Sequence, residues 1–443
     1  MTTSSGLKLM GKRLFRIGCL VILLLITRSV VLYLIEPADY SLFFNKILEN
    51  KIKENNGHID MIFLGTSRAH RSFDPEVFEE ELGMDSVFNA SSGLQPIEGS
   101  YYLLQELVPR CRPDYVVMDV TAGTFFNQSA ALEKIIVLDR LHGPVKLEYL
   151  LKCFKPDEYL NAVSRVYRFR NNMTLESISE IVHEKQELRE NGYSERKAGM
   201  DLYTDSGFIY SYLTGYVENG PSENYYRFEN TVPENMAYLE KIISLCEENG
   251  IRLFLVTSPW PMMQMYYNKN YQEFTDRVSA IADEHGLPYV NLNYLRGREE
   301  WLGDDMMFDS GHVNGEGARR ASEKYAQILK ALLSGGEMPD LLYADLAELK
   351  TEVNRILALH ADIAISDMTA KIHITSTQTD NITPLYRVQF SEDDEAYTPV
   401  TEWSEQTDLE LDLSGYRGTG HFLIEAMSPT GEPGTFIKYH VPI

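Results

Sequence analysis

Cysteine is scarce in this 443-residue chain, with four residues at positions 19, 111, 153 and 246. They form no CxxC pair and no Cys/His cluster, which argues against a structural zinc site. Cys19 falls in an apolar N-terminal run. The remaining three are an odd number and imply no full disulfide framework. Positive charge is also short: 41 Lys and Arg face 65 Asp and Glu, for a formal net charge of -24. So acidic a surface repels phosphate backbones, so nucleic acid is not an expected partner. The chain also lacks a P-loop, paired-metal spacing, an internal repeat and any low-complexity tract. A metal reading of Asp304, Asp305, Asp309 and His312 competes with plain solvated carboxylates, and the latter are commoner on loops. No cofactor is expected.

Long hydrophobic runs are rare as well, and the exception is informative. Ile17 to Ile35 is apolar apart from Thr27, Arg28 and Ser29, and Lys8, Lys12, Arg13 and Arg16 precede it. No small-x-small cleavage site follows, so a retained signal-anchor is expected over residues 1–36. The basic cluster predicts a cytoplasmic N-terminus with the bulk of the chain extracytoplasmic on the cell membrane. Arg28 interrupts the run and leaves 11 uncharged residues from Ile17 to Thr27. An arginine near a helix end can snorkel to the headgroups. The competing reading is an amphipathic or buried helix.

Beyond the run, short apolar stretches read as strands: Met61 to Leu64, Ser86 to Asn89, Tyr115 to Val120, Arg252 to Val256 and Pro288 to Asn291. Runs of this kind suit a parallel sheet covered on both faces. Helical patterns lie between them; the clearest follows Pro233 and stops at Gly250. The alternation predicts an α/β sandwich over residues 37–335. The interval of about 124–230 is too long for one crossover and reads as an insertion. It either caps a site or is scaffold. A linker helix is expected within 336–366, over about Leu341 to Leu359. From 367 to 443 the pattern turns to period two and predicts a small Ig-like β-sandwich.

Two short motifs carry chemistry. Gly65-Thr66-Ser67-Arg68 follows the first predicted strand, and Asp309-Ser310-Gly311-His312 precedes a helix that Asn314 can cap. A serine at a strand end can attack while its own N–H binds an oxyanion. An acid three residues before a histidine can accept the Nδ1 proton and leave Nε2 to deprotonate that serine. Thr66-Ser67 acting only as a helix cap is the competing reading. Arg68 and His70 flank the serine and could meet an anionic group, although a salt bridge would use Arg68 as well. Ser258-Pro259-Trp260-Pro261 follows the fourth strand, either lining the site mouth through Trp260 or forming a rigid aromatic turn.

Gly65-Thr66-Ser67 with a distant Asp309-x-x-His312, Asn314 and Gly317-Ala318 resembles the SGNH (GDSL-like) hydrolase superfamily. Asn89-Ala90-Ser91-Ser92-Gly93 resembles its second block. The similarity spans roughly residues 57 to 335, and the anchored layout with a large insertion is similar to DltD-like and O-acyltransferase-associated members. The resemblance implies a flavodoxin-like three-layer sandwich and a serine esterase or acyltransferase acting on cell-envelope polymers, polysaccharide or teichoic-acid-like. It implies an acylated glycan as substrate and a membrane-bound acyltransferase as a partner. It also implies Ser67, His312 and Asp309 as the triad and Ser67 and Gly93 as oxyanion donors. One block departs from the pattern. The usual Gly-x-Asn is replaced by Asp119-Val120-Thr121-Ala122-Gly123-Thr124, so either Thr121, Thr124 or Asn127 substitutes, or the acceptor geometry differs, or the enzyme is slow. A catalytically weak or silent surface module is the alternative this departure favours. A phosphate-transferring enzyme is a weaker third.

Overall fold

The computed structural model describes residues 4–442 apart from 39, 127–128, 214–231, 268–270, 304–305, 337–340, 353–355, 380–381, 394–395, 416–418 and 430–432. The chain starts with a long helix, Ser4–Ile35. Its segment Lys12–Ile35 is long and apolar enough to cross a membrane, with mean hydropathy 2.4. Side chains from Leu14 to Val30 are largely exposed, whereas Leu32 and Ile35 are buried against the body. A second helix, Tyr40–Glu54, follows and buries Phe43, Phe44, Ile47 and Leu48.

The strands in chain order are β1 (Met61–Leu64), β2 (Val87–Asn89), β3 (Tyr115–Asp119), β4 (Glu195–Ala198), β5 (Asp201–Thr204), β6 (Ile209–Ser211), β7 (Arg252–Thr257) and β8 (Tyr289–Asn291). Five of them form a parallel sheet in the order β2-β1-β3-β7-β8. These are the five apolar stretches read from the sequence. Alternate side chains feed two separate cores. Ile62, Leu64, Val116, Met118 and Leu255 face the helices Ile97–Cys111, Pro233–Glu248 and Tyr271–His285. Met61, Phe63, Val117, Phe254 and Val290 face Pro75–Leu82 and Gly315–Leu333. Both faces are covered, so the architecture is a three-layer α/β sandwich. The strand order is flavodoxin-like, and the chain reverses direction at β1 and β3. That reversal opens a crevice at the strand ends, where such sheets place ligands.

Most of the described part of the insertion packs beside the sheet or on the N-terminal helix, and its residues 214–231 lie outside the described residues. Among the described residues, β4, β5 and β6 form an antiparallel sheet beside β2. The Asn89 N–H donates to the Ser206 carbonyl at 2.9 Å, and Gly207, at φ 82°, packs so closely that a Cβ would lie 2.2 Å from the Asn89 oxygen. The helical part grips the N-terminal helix: Asn172 donates to the Ile35 carbonyl at 2.9 Å and Lys185 to that of Tyr33 at 2.7 Å.

The linker also differs from expectation. The helix is confined to Leu346–Glu352, and 356–366 is a strand. The C-terminal strands are β9 (Ile356–Ser366), β10 (Thr369–Gln378), β11 (Leu385–Ser391), β12 (Thr398–Pro399), β13 (Asp408–Asp412), β14 (Thr419–Met427) and β15 (Pro433–Pro442). β9 and β10 form a hairpin whose two turn residues, Asp367 and Met368, both have positive φ (50° and 61°), as a two-residue primed turn requires. Pairing through that turn overrides the helical spacing of the leucines. Two antiparallel sheets, β13-β10-β9 and β12-β11-β14-β15, enclose a core that includes Ile372, Ile374, Val388, Phe390 and Phe422. All four cysteines are free thiols.

Candidate active site

At the end of β1 the chain turns through Gly65 into the short helix Ser67–Ser72. A Cβ on Gly65 would lie 2.8 Å from both the Ala69 and the Asp119 Cβ atoms, so only glycine lets the turn close against β3. Thr66 caps the helix, its hydroxyl accepting the Arg68 N–H at 3.3 Å. Thr66 thus caps while Ser67 stays available for other contacts. As the first residue of the helix, Ser67 carries an N–H with no intrahelical partner.

His312 reaches the serine from the other end of the domain. Its Nε2 lies 2.7 Å from Ser67 Oγ. Its Nδ1 lies 2.8 and 3.0 Å from the two Asp309 carboxylate oxygens. Asp309 also accepts the Gly311 N–H at 2.7 Å, which fixes the loop. Partial burial pushes the Asp309 carboxyl up, but His312 and the Gly311 N–H outweigh it and hold the group below the usual carboxylate range. The Phe308 ring meets His312 edge-on at 6.5 Å. An ionised acid, an oriented imidazole and a hydroxyl therefore stand in one hydrogen-bonded row, which is the geometry of an activated serine nucleophile.

A cavity of about 220 Å³ opens over this row at the strand ends. Arg68 lines it, its guanidinium 3.9 Å from the centroid of the Trp260 ring, and Trp260 itself is part of the wall. Thr121 and Thr124 also line it and are tied to each other: the Thr124 hydroxyl accepts the Thr121 N–H at 3.2 Å. Gly93 is exposed and does not line the cavity; its neighbour Leu94, at φ 52°, does. Asn127, Asp304 and Asp305 lie outside the described residues. His70 is buried and packs edge-on against Tyr203. Burial, then the charges of Arg140 and Arg71, hold its pKa well below the ordinary histidine value. It is turned away from the cavity and cannot meet an anion there. Of the insertion, only Thr124, Ser129 and Glu133 among the described residues contribute to the wall.

Three residues at the site carried no signal in the sequence. Asp119, at the end of β3, is buried and accepts the Ser258 N–H at 2.8 Å and its hydroxyl at 3.1 Å. Burial pushes its carboxyl up to about 6, against the opposing pull of the Ser258 bonds, Arg68 and the Ala69 N–H. Asp119 therefore ties the Ser67–Ser72 helix to β3 and to the loop after β7. Asn235 and Gln264 are buried polar residues in the wall. Asn235 donates to the Thr124 carbonyl at 2.9 Å. A polar residue on the buried side of the Pro233–Glu248 helix was the only hint available for it.

A family model described as a protein of unknown function (DUF1574) matches residues 38–317, more than half of the chain. The chain belongs to the DUF1574 family. A search of the curated proteins finds no match to it. Among solved structures, this DUF1574 chain is similar to a Bacteroides fragilis protein described as a candidate acylhydrolase. The identity is 11%, the TM-score 0.31, and the match covers 67% of this chain and 99% of that one. A GDSL-like lipase from Bacteroides thetaiotaomicron matches at 11% identity and TM-score 0.30, covering 66% of this chain and 98% of its own. Likeness this loose transfers no activity, and the functional reading rests on the side-chain geometry.

Proposed function

We propose that this DUF1574 protein is a serine acyl-ester hydrolase or O-acyltransferase, anchored to the cell membrane by its N-terminal helix and working outside the cytoplasm. The observation that carries the reading is the hydrogen-bonded row from Asp309 through His312 to Ser67 at the mouth of a cavity. Ser67 Oγ attacks the ester carbonyl carbon as its proton passes to His312 Nε2. The carbonyl oxygen becomes an oxyanion, met by the Ser67 N–H and by the hydroxyl of Thr121 or Thr124 in place of the asparagine usual in the SGNH superfamily it resembles. Collapse breaks the bond to the leaving alcohol, which takes the proton from Nε2, and leaves acyl-Ser67. A second hydroxyl, from water or from a sugar, then gives its proton to Nε2 and attacks the acyl carbon; the bond to Ser67 Oγ breaks and Oγ takes that proton back from Nε2. Asp309 holds the imidazole in the required tautomer throughout.

A cavity wall that combines Arg68 stacked on Trp260 with Thr121, Thr124, Asn235 and Gln264 suits an acylated, hydroxyl-rich polymer, and the SGNH resemblance of residues 57 to 335 points the same way. A DltD-like place beside a membrane-bound acyltransferase belongs to this proposal. A catalytically weak binding module is the second reading, favoured by Gly93 lying off the cavity wall. The test is acetate release by the full-length protein from 4-nitrophenyl acetate and from an O-acetylated polysaccharide. The proposal predicts release that Ser67→Ala abolishes. No release from either substrate, with the polysaccharide still retained by the protein, would favour the binding module.

A further inference from the structure

The insertion has one exposed side that does not look like a water-facing surface. Leu147, Leu151, Leu160 and Val163 are each more than half exposed. Leu147 and Val163 line one pocket of about 350 Å³ with Arg28, Lys146 and Arg165. Leu151 lies one turn beyond Leu147 and Leu160 one turn before Val163, so all four share a side. Exposed apolar residues gathered in this way mark an interaction surface.

The same pocket gathers positive charge in an acidic protein. Its one carboxylate, Asp139, is engaged by both terminal guanidinium nitrogens of Arg168. Arg165 pairs with Glu36. Among the described residues neither Arg28 nor Lys146 has a carboxylate within 4 Å, and Lys146 feels Asp139 and Glu106 only at longer range. Converging cations of this kind favour an anion between them.

The N-terminal helix says which surface lies opposite. Ile17 to Thr27 spans about 17 Å at 1.5 Å per residue, against a hydrocarbon core of about 30 Å. Continuing to Ile35 brings the span to about 28 Å and leaves Arg28 about 10 Å below its top. The Asn172 and Lys185 bonds to the Ile35 and Tyr33 carbonyls hold the insertion rigidly to this helix. Residues beside Arg28 then enter the bilayer with it, at the depth where interfacial helices bury an apolar face, about 5–10 Å.

We propose that the insertion helices around Leu147 and Val163 rest in the membrane surface beside the N-terminal helix, with Arg28, Lys146 and Arg165 around a phospholipid phosphate. The proposal depends on Ser4–Ile35 being a membrane anchor, and not on the chemistry at Ser67. The insertion is then a footing that holds the cavity at a set height above the lipid, and its length reflects that task.

The test places nitroxide labels on the full-length protein, with Cys19 and Cys153 replaced by serine, in nanodiscs of mixed phosphatidylcholine and phosphatidylglycerol. Labels at Leu147 and Val163 are expected to collide with oxygen in preference to a water-soluble nickel chelate, as a label at Leu23 does. A label at Met368 is expected to do the reverse. Water-exposed labels at Leu147 and Val163 with Leu23 immersed overturn the footing while leaving the anchor intact. A water-exposed Leu23 overturns both. The double variant Arg28→Gln, Lys146→Gln is expected to retain less phosphatidylglycerol by roughly twenty-fold in native mass spectrometry, from about fivefold per basic residue. Unchanged retention overturns the phosphate contact.

Discussion

Asp119→Asn tests whether the buried carboxylate beneath the nucleophile turn behaves as the structure implies. In the folded protein its carboxyl titrates near 6, while an unfolded carboxyl titrates near the ordinary 3.8. The folded form therefore holds its proton over a range where the unfolded form has lost it. Below about pH 4 both forms are protonated and the group costs nothing. Above about pH 6 both are ionised and the full cost of the buried charge is present, about 3 kcal/mol. This group's contribution to stability thus falls as pH rises from 4 to 6. Asparagine has no such term. It has its own cost, because its NH₂ faces an N–H that the carboxylate had accepted, from Ser258 or Ala69. Leaving a buried donor unmet costs about 1–3 kcal/mol at any pH. The two effects roughly cancel at pH 7.5, whereas at pH 4.5 only about 1 kcal/mol of the first remains against the second. Thermal melts of both proteins at the two pH values measure this directly. The gap between wild type and variant should widen by several degrees toward acid, with the variant the less stable. An equal gap at both pH values would refute the reasoning.

Gly65→Ala should lower kcat about ten- to a hundredfold, since the new methyl overlaps Asp119 and Ala69 at 2.8 Å and must shift the serine; ester turnover with the fold checked by circular dichroism decides it. Asp309→Asn should keep the loop but present the wrong tautomer of His312, lowering kcat on the order of a thousandfold or more at pH 8, read as steady-state ester hydrolysis. Thr121→Val should lower kcat by about a hundredfold with little change in KM if its hydroxyl meets the oxyanion. Unchanged kcat would move that role to Thr124 or Asn127.

Part of this molecule was legible from local pattern. The strands of the parallel sheet are buried on both faces, so each appears as an uninterrupted apolar run, and their alternation with helices points to an α/β sandwich. Ser67, Asp309 and His312 stand out because their spacing is local to two turns, and the structure brings them within hydrogen-bond reach. Asp119 was invisible because its role depends on three chain segments meeting, the end of β3, the turn from Gly65 to Ala69 and the loop at Ser258, which no local spacing reports. Asn235 and Gln264 were hidden for the same reason. Ile356–Ser366 was misread because leucines spaced for a helix run directly into residues that also alternate. The deciding feature is the turn at Asp367 and Met368, two residues without the glycine that usually signals it. The insertion's length left cap and scaffold as equal readings, because length alone cannot say which side of the sheet it covers.

The central claim is that Ser67 is a nucleophile activated by His312. Its most direct measurement is peptide mass spectrometry of the full-length protein after treatment with a fluorophosphonate. The account predicts a single phosphonyl adduct on the peptide carrying Ser67, slow labelling in His312→Ala and none in Ser67→Ala. An adduct on another residue, or equal labelling of Ser67→Ala, would contradict it.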